Sequence, residues 1–402
     1  MRVLYISSSL PPNHDSQTIR NGHFISALTR GGVTVDTLSV DSESFSEKNF
    51  YGTSKNYSSE APLLLRVINL VRSKLGKYIV SNILHFIVAP DLYVGWRKKA
   101  LKVFVDNDFE YDLIVSASGS YIAHVIAFNM SVKYSVPFVC DFGDPWAYNP
   151  IWPENMWHKK LINKYYESKV LNATSSVVFT NESTCNFYKS KYNGINSVVI
   201  PMGYNKRLEA KEWELSPAKL DVIKFSHIGV AYRKSRNLLP LINALGRHEG
   251  IALNIIGPHS TEFSKVAKAC DYKNVYFLGK VSYEESEKLL DLADVNVVVG
   301  NTGGLQIPGK LYSVIGIAKP LFYISQENSD PAIALLSKLP GCIVVKNDCA
   351  SLQEAAFRVR DNYPEYLSEA RERTKLPLVE ALSWECIGTS FLKHIKSITQ
   401  DF

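Results

Sequence analysis

Short apolar runs alternate with stretches of helical spacing along most of the chain, separated by polar or glycine-bearing loops. Runs at 3–6, 33–40, 112–117, 136–140, 177–180 and 198–201 read as strands. The polar stretch at 41–59 reads as loop. A charged, poorly periodic segment at 206–219 reads as a linker, and the pattern then restarts. Strands follow at 222–228, 253–256, 275–278, 295–299, 321–324 and 342–345, with helical spacing between them, as at 237–245 and 283–292. Strands that alternate with helices imply βαβ units and two doubly wound α/β domains. The expected division is 1–205 and 206–384, with an amphipathic segment at 385–402 packing back on the first domain.

Residues 296–325, NVVVGNTGGLQIPGKLYSVIGIAKPLFYIS, organise the second half. An apolar strand runs into a glycine-bearing turn, then Pro308-Gly309-Lys310, a helix start, a stop at Ala318-Lys319-Pro320 and another strand. A loop in that position lies at the carboxyl edge of a parallel sheet, where open α/β sheets bind ligands. Free N–H groups at a helix start favour an anion, and Lys310 adds a full charge. A phosphate-bearing ligand is one reading; a glycine turn beside a solvated lysine is the other. Arg233, Lys234 and Arg236, after the strand at 222–228 and Gly229, form a second cationic cluster suited to phosphate.

Composition narrows the class. With 402 residues the chain is too long for one core. Its net charge of +6 is mild and does not call for nucleic acid. Six scattered cysteines without a CxxC argue for free thiols in a reducing compartment, against zinc or a disulfide framework. Met1-Arg2 leads straight into a strand, so a cytoplasmic protein is expected. No G-x-G-x-x-G follows that first strand, which argues against a dehydrogenase.

Residues 62–102 depart from the average. Leu63, Leu64, Val67, Ile68, Val71 and Leu75 recur at helical spacing with Arg66, Arg72, Lys74 and Lys77 interleaved. Such a stretch can lie on the inner membrane surface, or it can pack on the sheet and extend its basic groups to water. At the carboxyl edge of the first domain the candidates are His14, Ser118, Asp141 and Asp144. The two carboxylates suit hydroxyl binding or acid–base work, and equally the capping of a turn before Pro145. Asp106-Asn107-Asp108 spells D-x-D but precedes its strand in a polar stretch, so it reads as solvated surface and no metal is expected.

Several landmarks together resemble GT-B glycosyltransferases, and among them glycosyltransferase family 4. VCDFGDPW at 139–146 is similar to the D-F-R-D-P-W element of bacterial polysaccharide-assembly members. VIPMGYN at 199–205 resembles V-I-P-N-G-x-D at the domain junction. HIGVAYRKSRN at 227–237 resembles the donor-domain glycine loop that ends in a cation. NVYFLG at 274–279 is similar to the strand before the base-binding loop, and PGKLYSVIGIAKP at 308–320 to P-x-K-L-x-E-Y-x-A-x-G-K-P. Ser383-Trp384-Glu385 also has a counterpart. The resemblance covers nearly the whole chain and implies two Rossmann-like domains with a cleft and a terminal crossover helix.

It also implies roles. A UDP- or GDP-sugar would be the donor, with no further cofactor. Arg236 and Lys310 would grip its diphosphate, and Gly229, Arg233, Gly303, Gly304 and Gly309 would line the cradle. Gly279 and Val281 would hold the base, Ser313 would stand at the ribose, and Asp144 would face a glycan or lipid-linked acceptor. Cations at the leaving diphosphate stabilise the charge that develops as the sugar departs. The family implies retention of anomeric configuration. Three departures stand out: Ser313 and Leu305 replace family acids, and Gly143 replaces an arginine. A serine cannot give a ribose diol the charge-assisted hydrogen bonds of a carboxylate. Asn301 or Gln306 could hold the ribose instead. A non-catalytic scaffold that kept the fold, or a nucleotide-sugar epimerase, therefore remain as alternatives.

Overall fold

The computed structural model describes residues 1–10, 15–40, 53–59, 62–71, 76, 79–80, 83–84, 88–104, 109–150, 157–206, 221–233 and 236–400. The chain divides into two compact units, Met1–Pro201 with Ile387–Phe402, and Met202–Cys386. Residues 202–205 fall in the second unit because Tyr204 is pinned there. Its N–H donates to Leu382 O, its carbonyl accepts from Trp384 N–H at 2.9 Å, and its ring lies against Gly316.

Seven strands of the first unit are described: β1 Arg2–Ile6, β2 Thr34–Val40, β3 Asn56–Ser59, β4 Leu113–Ala117, β5 Phe138–Phe142, β6 Ser176–Phe179 and β7 Ser197–Val199. They form one sheet in the order β3-β2-β1-β4-β5-β6-β7, with parallel pairings throughout. β3 corrects the expectation of loop at 41–59. Its sequence NYSS is polar because it is an edge strand, and Thr37 Oγ1 donates to Asn56 Oδ1 at 2.7 Å beside the ladder.

Helix Ser16–Arg30 starts at Asp15, whose carboxylate accepts from Gln17 N–H and Thr18 N–H, satisfying donors that a first turn leaves open. Phe24 of this helix stacks on Phe391 at 3.8 Å, and Gly388 lies where any side chain would strike Ala27. Helix Trp384–Gln400 is thus held on the first sheet from Ile387 onward, with His394 Nε2 3.0 Å from Ser176 Oγ.

The second unit has β8 Ile223–Ile228, β9 Ile251–Ile256, β10 Val275–Gly279, β11 Val295–Val299, β12 Leu321–Ser325 and β13 Cys342–Lys346. Their order is β10-β9-β8-β11-β12-β13, again parallel. All five residues of β11 are buried, and separate apolar clusters cover the two sheet faces. Each such valine contributes roughly 1.5–3 kcal/mol, which explains an apolar run interrupted only by Asn296, whose amide donates to Leu290 O at 3.2 Å. Strand order reverses between β8 and β11. The loops leaving these two strands therefore diverge and open a crevice at their carboxyl ends.

Candidate donor site at the carboxyl edge of the second sheet

Both loops at this reversal carry chemistry. The first leaves β8 through Gly229, at φ +146°, and the second leaves β11 through Gly300. Gly300 must lack a side chain, since a Cβ there would strike the Asp330 carboxylate and the Tyr323 hydroxyl. Those two groups form a buried hydrogen bond of 2.8 Å that fixes the floor of the loop, and burial raises the Asp330 carboxyl above its ordinary range. Gly303 and Gly304 follow at φ +93° and +64°, left-handed backbone that favours glycine. The ends of β8, β9 and β10 are laced together by Gly229 N–H to Ile256 O at 2.9 Å and Gly257 N–H to Gly279 O at 2.6 Å.

Arg236 and Asn301 join the two loops: the arginine Nε donates to Asn301 Oδ1 at 3.0 Å. Lys310 opens helix Gly309–Ile315, with its ammonium 3.6 Å from Glu287 Oε1. That helix has only seven residues, so the full charges of Arg236 and Lys310 carry the attraction for an anion more than the helix dipole does. Both cations act on one group, the imidazole of His227 near the end of β8, and both oppose its protonation. Arg236 follows β8 and Lys310 follows β11, the two strands at the reversal, so both lie at the same sheet edge.

Other expected donor residues divide. Gly229, Gly303 and Gly304 lie in the two loops, and Gly309 begins the helix of Lys310. The Gly303 N–H already has an anionic partner, Glu327 Oε1 at 2.6 Å. Gly279, at φ +68°, ends β10, and Val281 packs on an apolar cluster beside it. Ser313 is half-buried on helix Gly309–Ile315. Arg233 donates its N–H to Ser260 Oγ at 3.3 Å, and its exposed guanidinium pairs with Glu262. Lys234 lies outside the described residues.

The first unit is corrected more heavily. Asp141 is wholly buried: Arg20 Nε lies 3.1 and 2.9 Å from its two oxygens, Arg20 Nη2 2.8 Å from one, and Gln17 Nε2 adds a contact at 3.3 Å. It anchors a helix and is not available to an acceptor. Ser118 Oγ donates to Asp141 O at 3.1 Å and accepts Gly143 N–H at 3.2 Å, so it clasps the β4 and β5 loops. A side chain at Gly143 would first meet Gln17 Oε1, the end of a flexible side chain. Asp144 alone of the two carboxylates is exposed. His14 and Asp106-Asn107-Asp108 lie outside the described residues.

Sequence reasoning missed His227, Glu287 and Glu327. The only trace of Glu327 was its position just past the end of β12.

No family model and no curated protein matches the chain by sequence. Solved structures match it over nearly its full length. HepE of Anabaena, solved with UDP and glucose, gives a TM-score of 0.64 at 13% identity over 99% of this chain and 100% of that one. A glycosyltransferase of Rickettsia africae gives 0.62 at 15% over 100% and 99%. WaaG, a glycosyltransferase of lipopolysaccharide biosynthesis, gives 0.62 at 11% over 97% and 99%. The chain has the GT-B fold, two Rossmann-like α/β domains. At these identities the likeness defines the architecture, and the chemistry must be argued from the residues.

Proposed function

We propose that the protein is a glycosyltransferase. It moves a sugar from a UDP- or GDP-sugar to a surface polysaccharide or lipid-linked glycan, with retention and without a metal. The observation that carries this reading is that Arg236, bonded across to Asn301 of the β11 loop, and Lys310, on the helix that follows, both lie at the strand-order reversal of the second unit. A guanidinium and an ammonium held there by Asn301 and Glu287 are preorganised for a leaving diphosphate. HepE was also solved with UDP-glucose, which supports a nucleotide sugar as donor. Asp144, exposed at the end of β5, is assigned to the acceptor.

Contact with a membrane surface is part of the proposal. No helix among the described residues is long and apolar enough to cross a bilayer. The first unit nevertheless exposes Leu63 and Leu70 on helix Leu63–Leu70, and Trp157, Leu161 and Tyr165 with Lys160 and Lys164 on helix Trp157–Leu171. Apolar side chains interleaved with lysine suit an anionic lipid surface and would bring the enzyme to a lipid-linked acceptor.

A scaffold reading is favoured by two features: Ser313 and Leu305 stand where the family has acids, and Glu327 holds the Gly303 N–H. Incubation with a panel of UDP- and GDP-sugars and acceptor lipid extract, read by product mass, separates the readings. A mass increase of one sugar supports the transferase. Binding of no nucleotide and no product would overturn it.

A further inference from the structure

Three helices of the first unit line a cavity to which the proposed transfer gives no task. Helix Trp96–Lys102 brings Arg97 to it, helix Ile122–Tyr134 brings Val125, Phe128 and Asn129, and helix Trp157–Leu171 brings Tyr165 and Lys169. Its volume is about 180 Å³, room for a phosphate group and a few atoms attached to it. Tyr165 and Lys169 are exposed and mark its mouth. Val125, Phe128 and Asn129 share one helix face at i, i+3 and i+4, so the amide is set among apolar side chains.

The charges that line this cavity are all positive. Neither Arg97 nor Lys169 has an ion-pair partner among the described residues, and the Lys169 ammonium rests over the Tyr165 ring at 4.6 Å. No carboxylate joins them. Glu167, two residues before Lys169, is turned elsewhere, its oxygens accepting from Ala147 N–H, Tyr188 OH and Tyr192 OH. Asn129 Nδ2 is buried and has no hydrogen-bond partner. A buried donor without an acceptor is costly, and a ligand oxygen would satisfy it. Two cations and an unmatched amide around one small cavity fit an oxyanion.

The third helix shows what would carry that anion. Trp157, Leu161 and Tyr165 are exposed and follow one another at i+4, and Lys169 continues the stripe. An aromatic and apolar stripe leading to a cationic cavity suits a molecule with an apolar body and a phosphate end. A zwitterionic headgroup would bring an ammonium against Arg97 and Lys169, so the fit is to a net negative one.

We infer that this cavity binds the phosphate of an anionic phospholipid headgroup. Arg97 and Lys169 meet its charge, Asn129 donates to one of its oxygens, and the stripe from Trp157 to Tyr165 lies in the bilayer surface beside it. This rests on the membrane contact proposed above and gives that contact a specific ligand; it is independent of the donor site. A contact made by scattered lysines responds only to total charge. A built site responds also to an uncharged amide.

Sedimentation of the full chain with vesicles of phosphatidylcholine, alone or mixed with phosphatidylglycerol, tests it. The wild type should bind the mixed vesicles and leave the neutral ones. Asn129→Leu changes no charge and Arg97→Gln removes one, and each should lower affinity for the mixed vesicles roughly ten-fold. Lys160→Gln removes a charge outside the cavity and should cost no more than about five-fold. Calorimetry with dihexanoyl phosphatidylglycerol, below its micelle concentration, should show one saturable site that Asn129→Leu weakens. Vesicle binding that both Asn129→Leu and Arg97→Gln leave intact would overturn the inference and leave the membrane contact standing. Inorganic phosphate binding as tightly as the short-chain lipid would overturn it too, because the site would then take free phosphate. If the wild type binds neither vesicle, the membrane contact falls and this inference with it.

Discussion

The guanidinium of Arg20 grips Asp141 with three contacts between 2.8 and 3.1 Å, and neither side chain touches solvent. The same guanidinium donates to Pro201 O at 2.8 Å and Ile200 O at 2.9 Å and lies over the Phe24 ring. One residue thus ties helix Ser16–Arg30 to β5 and to the segment leaving β7. Arg20→Met or Asp141→Asn leaves the other partner unmatched in a dry site, and should destabilise the first unit by about 3–5 kcal/mol. Denaturant titration should show the lower midpoint, and the double variant should cost less than the two singles combined. An unchanged midpoint would refute the assignment.

Arg236→Ala and Lys310→Ala should each lower transfer by about two to three orders of magnitude, on the order of 2–4 kcal/mol of transition-state stabilisation. Steady-state rates with saturating donor measure this. Wild-type turnover in either variant would move the chemistry elsewhere.

Glu327 Oε1 accepts the Gly303 N–H at 2.6 Å, the donor that the proposed function gives to a phosphate. Glu327→Gln removes a negative charge from the cradle and should tighten nucleotide diphosphate binding several-fold, about 0.5–1 kcal/mol. Calorimetry with UDP and GDP reads it, and a weaker complex would contradict the proposed phosphate position.

Ser313→Glu should likewise raise nucleotide affinity if the ribose lies against helix Gly309–Ile315. A carboxylate accepting from the diol is worth about 1.5–3 kcal/mol. Equal binding of nucleotide and its 2′,3′-dideoxy analogue by the variant would place the ribose elsewhere.

Glu167 is buried among Ala147 N–H, Tyr188 OH and Tyr192 OH, at 2.7, 2.7 and 2.8 Å. Burial pushes its carboxyl up to about 7, against the lowering effect of those donors. The folded state then holds a proton that the unfolded chain has released above its ordinary value of 4.5. Stability from this group is complete below that value and is lost as pH rises through about 7, on the order of 1–3 kcal/mol in all. Denaturation at about pH 5 and pH 8 should show the loss in the wild type and a flatter profile in Glu167→Gln.

Much of the architecture was legible in the residue pattern. Runs such as 321–324 are apolar without alternation because both sheet faces are covered, and this implies parallel strands between helices. The edge strand Asn56–Ser59 was not legible, because its polar residues carry no burial signal and only its pairing to β2 makes it a strand. Local chemistry was legible where backbone demands it, as at Gly303 and Gly304. It was misleading where a side chain's partner is remote in sequence: Asp141 reads as a ligand-facing acid until Arg20 is found on it. The sequence by itself determined the two α/β series and the cations of the second, since periodicity and loop composition are local properties. Only the tertiary structure decided which charges converge and which cancel, because that depends on strand order, and strand order brings Arg236, after β8, and Lys310, after β11, to one edge from two separate stretches of chain.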